Sequence, residues 1–232
     1  MTPVRVSHFS DVLCFWAYAA QRRLDELAKT FGEDIVIDTR YCSIFPDAWG
    51  KIEKNWKDKG GFSGFNQHLI EAQKNFPHVD VNERLWLETR PCTSASGHMF
   101  LKAVELVERD SCLGDPIQKS YLEQLVPRAA WALRCAFFVE AKDISDWRVH
   151  REVSQSLGID YAQVEEKIRS SQAVAQLAID YSLSQEYGVE GSPTFIMNDG
   201  RQKLFGNVGY RLLEANVQEL LRPSTGDEAS WC

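Results

Sequence analysis

The spacing of apolar and polar positions changes period several times along this chain. Residues 4–9 are short, partly alternating and partly β-branched, the pattern of a strand. After Ser10, Asp11, Val12 and Leu13 the period lengthens to that of a helix. Trp16, Ala20, Leu24, Leu27, Ala28 and Phe31 fall on one stripe, and Arg22, Arg23, Asp25, Glu26 and Lys29 on the other side. Gly32 is a natural stop just past its end. Residues 35–41 alternate again, which predicts a second strand. Strand, helix and strand in so short a span form a βαβ unit, so the two strands are predicted to be parallel.

From residue 64 to 187 the spacing is helical. Segments at 66–76, 96–109, 117–126, 128–141, 146–157, 161–170 and 172–187 repeat apolar residues every three or four positions. Pro127 is predicted to break or kink the run around it. Asp160 is placed as a helix N-cap, with Gly158 before it and Glu165 and Glu166 in the turns that follow. Residues 47–64, rich in Lys, Trp and Gly, show no assignable period. The end returns to β structure. Residues 194–197 read as a strand, Asn198, Asp199 and Gly200 as a hairpin turn, and 202–205 as an antiparallel return. A closing helix over 210–221 turns Leu213, Val217 and Leu220 inward.

The predicted order is βαβ, a helical block, then ββα. The outer pieces are too small for separate cores, so they are expected to form one sheet with helices on both faces. The parts are residues 1–63, the N-terminal βαβ piece; 64–187, a helical insertion; 188–222, the C-terminal ββα piece; and 223–232, a polar tail expected to be mobile.

Composition narrows the function classes. The chain has 232 residues, 44% of them hydrophobic, enough for a sizeable core. A net charge of -7 lacks the basic footprint that phosphate backbones demand, so no nucleic-acid partner is expected. No stretch of about 18 apolar residues occurs, so no membrane span is expected. The N-terminus enters strand-like sequence directly, and a cytoplasmic location is expected. The six cysteines (Cys14, Cys42, Cys92, Cys112, Cys135 and Cys232) are widely spaced, without a Cys-x-x-Cys pair, and are expected to be reduced. No two histidines have metal-ligand spacing, so no metal site is expected.

Two features carry candidate chemistry. Cys14 lies between a strand and the first turn of a helix, where unpaired backbone N–H groups and the positive end of the helix dipole stabilise a thiolate. By position alone it equally reads as a small buried residue. The second feature is Gly191-Ser192-Pro193-Thr194-Phe195, a proline at a strand start, where a missing N–H donor is tolerated. Cys42 ends the second strand, at the same sheet edge as Cys14; it reads as a resolving thiol or an inert buried one. His98 opens a helix of the insertion and either faces the site or is structural. His8 ends the first strand and is a candidate for tuning Cys14. Cys92, Cys112, Cys135 and Cys232 read as core, loop or tail residues.

Together, the segments SDVLCFWAY (10–18), AAWALRCAFFVEAKDISD (129–146), VEGSPTF (189–195) and GNVGYRLLEANVQELL (206–221) resemble the DsbA-like thioredoxin-fold family. The likeness runs over nearly the whole chain. It is nearest to the cytosolic branch that includes polyketide-associated dithiol isomerases, 2-hydroxychromene-2-carboxylate isomerases and kappa-class glutathione transferases. The resemblance implies an α/β fold, a thioredoxin-like βαβ…ββα mixed sheet with a large all-helical insertion, and a cis proline at Pro193 facing the Cys14 sulfur. It also implies a substrate surface formed by Phe15, Trp16, Ala17, Ser192 and Pro193. Dithiol members carry Cys-Pro-x-Cys, whereas this chain reads Cys14-Phe15-Trp16-Ala17, one sulfur without a resolving partner. The implied activity is thiol-disulfide exchange through Cys14 with an external thiol, glutathione serving as co-substrate and no cofactor bound tightly. The substrate is a thiol or disulfide, on a small molecule or a protein; a homodimer is compatible with the resemblance. The alternatives are a glutathione-dependent transferase or isomerase acting on a small aromatic compound, and a non-catalytic binding module.

Overall fold

The computed structural model describes residues 2–111 and 119–222. Strand β1 (Val4–Ser10) leads into helix α1 (Phe15–Phe31), which ends at Gly32 with a φ of 51°, a conformation glycine adopts without strain. β2 (Ile35–Tyr41) lies parallel to β1, with Val4 opposite Ile35 and Ser10 opposite Tyr41. β3 (Thr194–Met197) runs antiparallel to β1 and pairs with β4 (Gln202–Phe205) through the predicted hairpin. Asn198, Asp199 and Gly200 all take positive φ there, as such a turn requires. The sheet order is β2-β1-β3-β4. It is the mixed sheet of a thioredoxin-like fold.

Between β2 and β3 the regular elements of the described residues are helical. The stretch without a sequence period forms α2 (Ala48–Trp56), capped by Asp47, whose carboxylate accepts from the Gly50 N–H at 2.9 Å, and the start of α3 (Gly61–Gln73), the rest of which falls within the helix predicted over 66–76. α2 is too short and too charged for its period to stand out. A single turn, α4 (Leu85–Glu88), was also without a sequence signal. α5 (Ala95–Ser111), α7 (Trp147–Ser156), α8 (Tyr161–Arg169) and α9 (Gln172–Glu186) fall where periodicity puts them, and Asp160 caps α8 by accepting from the Ala162 N–H at 3.0 Å.

One segment is corrected. Of the helix predicted over 117–126, residues 119–124 hold only a 3-10 turn, Tyr121–Glu123, and 125–126 open the next helix. The next helix, α6 (Leu125–Phe138), contains Pro127, which does not break it. In the first turn an N–H has no intrahelical partner to lose, so proline costs nothing there. Buried Glu108 accepts from the Leu125 N–H at 2.9 Å, satisfying the helix start.

The core has three parts. One face of the sheet (Val4, Val6, Ile35, Ile37, Phe195 and Met197) meets Leu24 and Leu27 of α1 and Leu213 and Val217 of α10 (Tyr210–Leu221). The other face, Phe9 and Ile196, lies under Leu183 of α9 and Tyr187 just past its end. The largest cluster joins Leu13, Phe15 and Tyr18 of the first strand-to-helix passage to Phe100, Leu133, Phe137 and Phe138 of the helical block. The helical block therefore shares its core with the start of α1. Trp16, placed on the buried stripe by periodicity, is exposed instead, because the first turn of α1 is enclosed through Phe15, Ala17 and Tyr18. Among the described residues no helix is long and apolar enough to cross a membrane. The tail from 223 to 232 lies outside the described residues.

Candidate active site around Cys14

Cys14 is the N-cap of α1. Its backbone is extended, with φ of -82° and ψ of 115°, so its side chain meets the open end of the helix. The backbone amides of Trp16 and Ala17 bear on the sulfur. The S–H donates to the Ser192 carbonyl at 3.1 Å, and the next bond, Ser192–Pro193, is cis. The helix start and the strand start, 178 positions apart, are thus brought together at one sulfur.

The charge state of the thiol departs from the sequence expectation. Burial pushes the Cys14 thiol above its ordinary value; the Ser192 hydroxyl and the Ala17 and Trp16 amides oppose this, and Asp11 adds to it. Desolvation outweighs the helix end because Cys14 is only 6% exposed. At pH 7 a small alkylating reagent is expected to label exposed Cys92 first and Cys14 slowly, with labelling of Cys14 still climbing at pH 9.0. Mass-mapped iodoacetamide kinetics check this; Cys14 reacting first at pH 7 would show a ready thiolate.

The group that shapes the loop is one that sequence reasoning passed over. Asp11 is fully buried, and its carboxylate accepts four hydrogen bonds. Leu13 N–H donates at 2.9 Å, Ile44 N–H at 3.1 Å, Phe45 N–H at 3.0 Å and the Ser94 hydroxyl at 2.7 Å. One carboxylate thereby ties the Cys14 loop to the segment after β2 and to the approach to α5. Its only sequence signal is an Asp between an apolar strand and an apolar helix, a position shared by ordinary caps. The Asp11 N–H in turn donates to the Ser192 hydroxyl at 2.9 Å.

His98 lies behind this loop and does not touch Cys14. Its Nε2 accepts from the Val12 N–H at 3.1 Å, so Nδ1 carries the proton and donates to the Tyr181 hydroxyl at 3.1 Å. The ring stacks on Tyr41, with centroids 4.8 Å apart. Burial holds its pKa down to about 4. His8 is not beside Cys14 either. It is buried on the α1 face of the sheet, stacked on Phe195 at 5.1 Å, and burial, then the charge of Arg134, holds it down to about 3. Both rings are neutral when folded and gain a proton near 6.5 when unfolded. The unfolded chain therefore binds more protons in this window, and stability falls as pH drops from 6.5 toward 3 or 4. Between pH 7.5 and 5 each ring is expected to remove about 2 kcal/mol. His8→Phe, which keeps the stack, is expected to shrink the measured loss by about that amount in urea titrations at the two pH values; an unchanged loss would count against the assignment.

Cys42 sits beside the site but is sealed. Its N–H donates to the Ser10 carbonyl at 3.1 Å, and burial, then the charges of Asp11 and Cys14, raises its thiol strongly. Ala17 is fully buried one turn along α1 and offers no sulfur. Phe15 is buried against Phe76 and Phe138, with ring centroids 5.8 and 6.3 Å away. Trp16, two residues along the chain from Cys14, is exposed, its ring 5.9 Å from Phe76. Cys135 is half-buried on α6, and Cys112 and Cys232 lie outside the described residues. Among the described residues no group of three or more His, Cys, Asp or Glu is placed to hold a metal.

A cysteine capping the first helix of a β2-β1-β3-β4 sheet, opposite a cis proline that opens β3, defines a thioredoxin-fold protein. Within that class the comparisons with known proteins are specific. Residues 119–218 match the family model described as DSBA-like thioredoxin domain. The cytosolic disulfide reductase DsbM from Pseudomonas aeruginosa superposes with a TM-score of 0.63 at 17% identity, over 92% of this chain and 98% of that one. Its structure with GSH superposes with a TM-score of 0.64 at 18% identity, over 92% and 99%. A 2-hydroxychromene-2-carboxylate isomerase superposes with a TM-score of 0.60 at 17% identity, over 93% and 95%. No curated protein matches the chain in sequence. The chain has a DsbA-like thioredoxin fold, and residues 119–218 resemble the DSBA-like thioredoxin domain; solved proteins of this fold include a disulfide reductase and an isomerase.

Proposed function

We propose that this protein is a monothiol thiol-disulfide oxidoreductase that works through Cys14 and uses glutathione as its second thiol. The observation that carries this reading is the 3.1 Å contact of the Cys14 sulfur with the Ser192 carbonyl beside a cis Ser192–Pro193 bond. An extended disulfide-bearing chain that lies beside Ser192 brings its own N–H to that carbonyl and displaces the Cys14 S–H. The freed thiol loses its proton to solvent, and the Trp16 and Ala17 amides hold the resulting thiolate.

The exchange has two steps. The Cys14 thiolate attacks one sulfur of the substrate disulfide, forming a mixed disulfide and expelling the other half as a thiolate. A glutathione thiolate then attacks the substrate sulfur of that mixed disulfide, carries it off as a new disulfide and returns Cys14 as the thiolate. The second step needs an external thiol because Ala17 stands where a dithiol enzyme has its resolving sulfur. That a structure of this fold is known with GSH supports the choice of glutathione.

A second reading rests on the exposed ring of Trp16 with Phe76 at the same rim. There Cys14 positions a bound glutathione while an aromatic compound is isomerised or conjugated, and activity survives Cys14→Ser. A protein-disulfide exchange assay with and without glutathione separates the readings. Turnover is expected to depend on glutathione and to be unchanged by Cys42→Ser. Ala17→Cys is expected to release the substrate from the mixed disulfide without glutathione, leaving Cys14 bonded to the introduced thiol until an external thiol reduces it. Full turnover of the Cys42→Ser protein without glutathione would overturn the monothiol scheme.

A further inference from the structure

Away from Cys14, beneath α1, lies a buried polar patch that thiol exchange does not use. Register pairs Ser10 with Tyr41 on parallel strands, and His8 precedes Ser10 by two, so all three side chains share one face of the sheet. Arg134 of α6 covers them and is 1% exposed. Its Nη2 donates to the Ser10 hydroxyl at 3.0 Å and its Nη1 to the Gln21 side-chain oxygen at 3.3 Å. Gln21 donates in turn to the Tyr121 hydroxyl at 2.9 Å. Arg134 pairs with no carboxylate among the described residues; Asp25 reaches it only at one remove, through Gln21. Its Nε–H, the Tyr41 hydroxyl and both ring nitrogens of His8 have no hydrogen-bond partner.

A guanidinium is charged at every physiological pH, and burying it with neutral partners alone is costly. The neighbouring orphans include three groups able to donate: Arg134 Nε–H, Tyr41 O–H and one His8 N–H. We infer that this patch is a buried binding site for a small inorganic anion of halide size, anchored by Arg134. Uncharged water would satisfy the donors but leave the charge unbalanced. A surface cavity of about 330 Å³ has Gln21 and Tyr121, the outer members of this network, in its wall. Asp25, Arg128 and Trp131 line it too, so one carboxylate and one guanidinium stand at its wall.

The test replaces gluconate by bromide at constant ionic strength. The thermal midpoint of the full chain is expected to rise by about 3 to 5 °C for each tenfold increase in bromide above half-saturation. Crystals grown in bromide are expected to show an anomalous peak beside Arg134 Nε. Arg134→Met, apolar and of similar length, is expected to abolish both; should that variant not fold, Tyr41→Phe is expected to weaken the midpoint shift while leaving the fold intact. Equal midpoints in the two salts, or midpoint shifts in Tyr41→Phe as large as in the unmodified chain, would overturn the inference.

Discussion

Cys14→Ser is expected to lower disulfide-exchange activity by at least about 10³-fold while leaving the fold in place. The exchange is nucleophilic attack by a sulfur anion, and a serine hydroxyl in the same position is neither acidic enough nor able to form a disulfide. The swap is nearly isosteric, and a hydroxyl keeps the donation to the Ser192 carbonyl that Cys14 makes at 3.1 Å. Stability is thus expected to change by less than about 1 kcal/mol. The discriminating measurement is a pair of assays on the same preparation: exchange rate and urea midpoint. Retained activity on a small aromatic substrate with lost disulfide exchange would move the assignment to the glutathione-dependent isomerase or transferase reading.

Asp11→Ala is expected to have the largest effect on stability, a loss of about 3 to 5 kcal/mol. The substitution strands three backbone donors, those of Leu13, Ile44 and Phe45, together with the Ser94 hydroxyl. All belong to segments that this carboxylate gathers at one point, beside the direct bond of the Ser94 N–H to the Phe45 carbonyl at 3.0 Å. Asp11→Asn is no rescue. Oδ1 accepts from Leu13 while Oδ2 accepts from Ile44, Phe45 and Ser94, so a side-chain NH₂ at either position faces a donor. The urea midpoint and the exchange rate are expected to fall together, because the loop that holds Cys14 against Ser192 loses its anchor. A loss below about 1 kcal/mol would mean that water replaces the carboxylate, and that the loop is held by other contacts.

The parts of this fold that were legible in the sequence are those whose signal is local. The alternation of 35–41, the Asn198-Asp199-Gly200 turn and the Asp160 cap each reflect a few neighbouring residues, and each appears where the sequence puts it. The 3-10 turn at Tyr121–Glu123 and the unbroken start of α6 were not legible, because Pro127 carries opposite meanings inside a helix and in its first turn. Trp16 followed its helical stripe on paper, yet tertiary packing covers the first turn of α1 on every side but that one.

The site divides in the same way. Cys14 and Pro193 stand out through the family resemblance; by position alone Cys14 reads equally well as a small buried residue. The roles of Asp11 and Arg134 depend on partners 33 to 124 positions away, and nothing near either residue in the chain reveals them. The ionisation of Cys14 shows the limit of a local argument most clearly. A helix start favours the thiolate, but depth of burial, a property of the whole fold, works against it and is the larger effect in the resting protein.

The central claim, that Cys14 exchanges with glutathione and has no internal resolver, is tested most directly by mass. The protein is incubated with oxidised glutathione, quenched in acid, measured intact and mapped by peptides before and after reduction. The expected result is one glutathionyl group on the peptide containing Cys14, stable until an external thiol is added and still formed after Cys42→Ser. A Cys14 peptide that stays unmodified, or one recovered in a disulfide with Cys42, would contradict it.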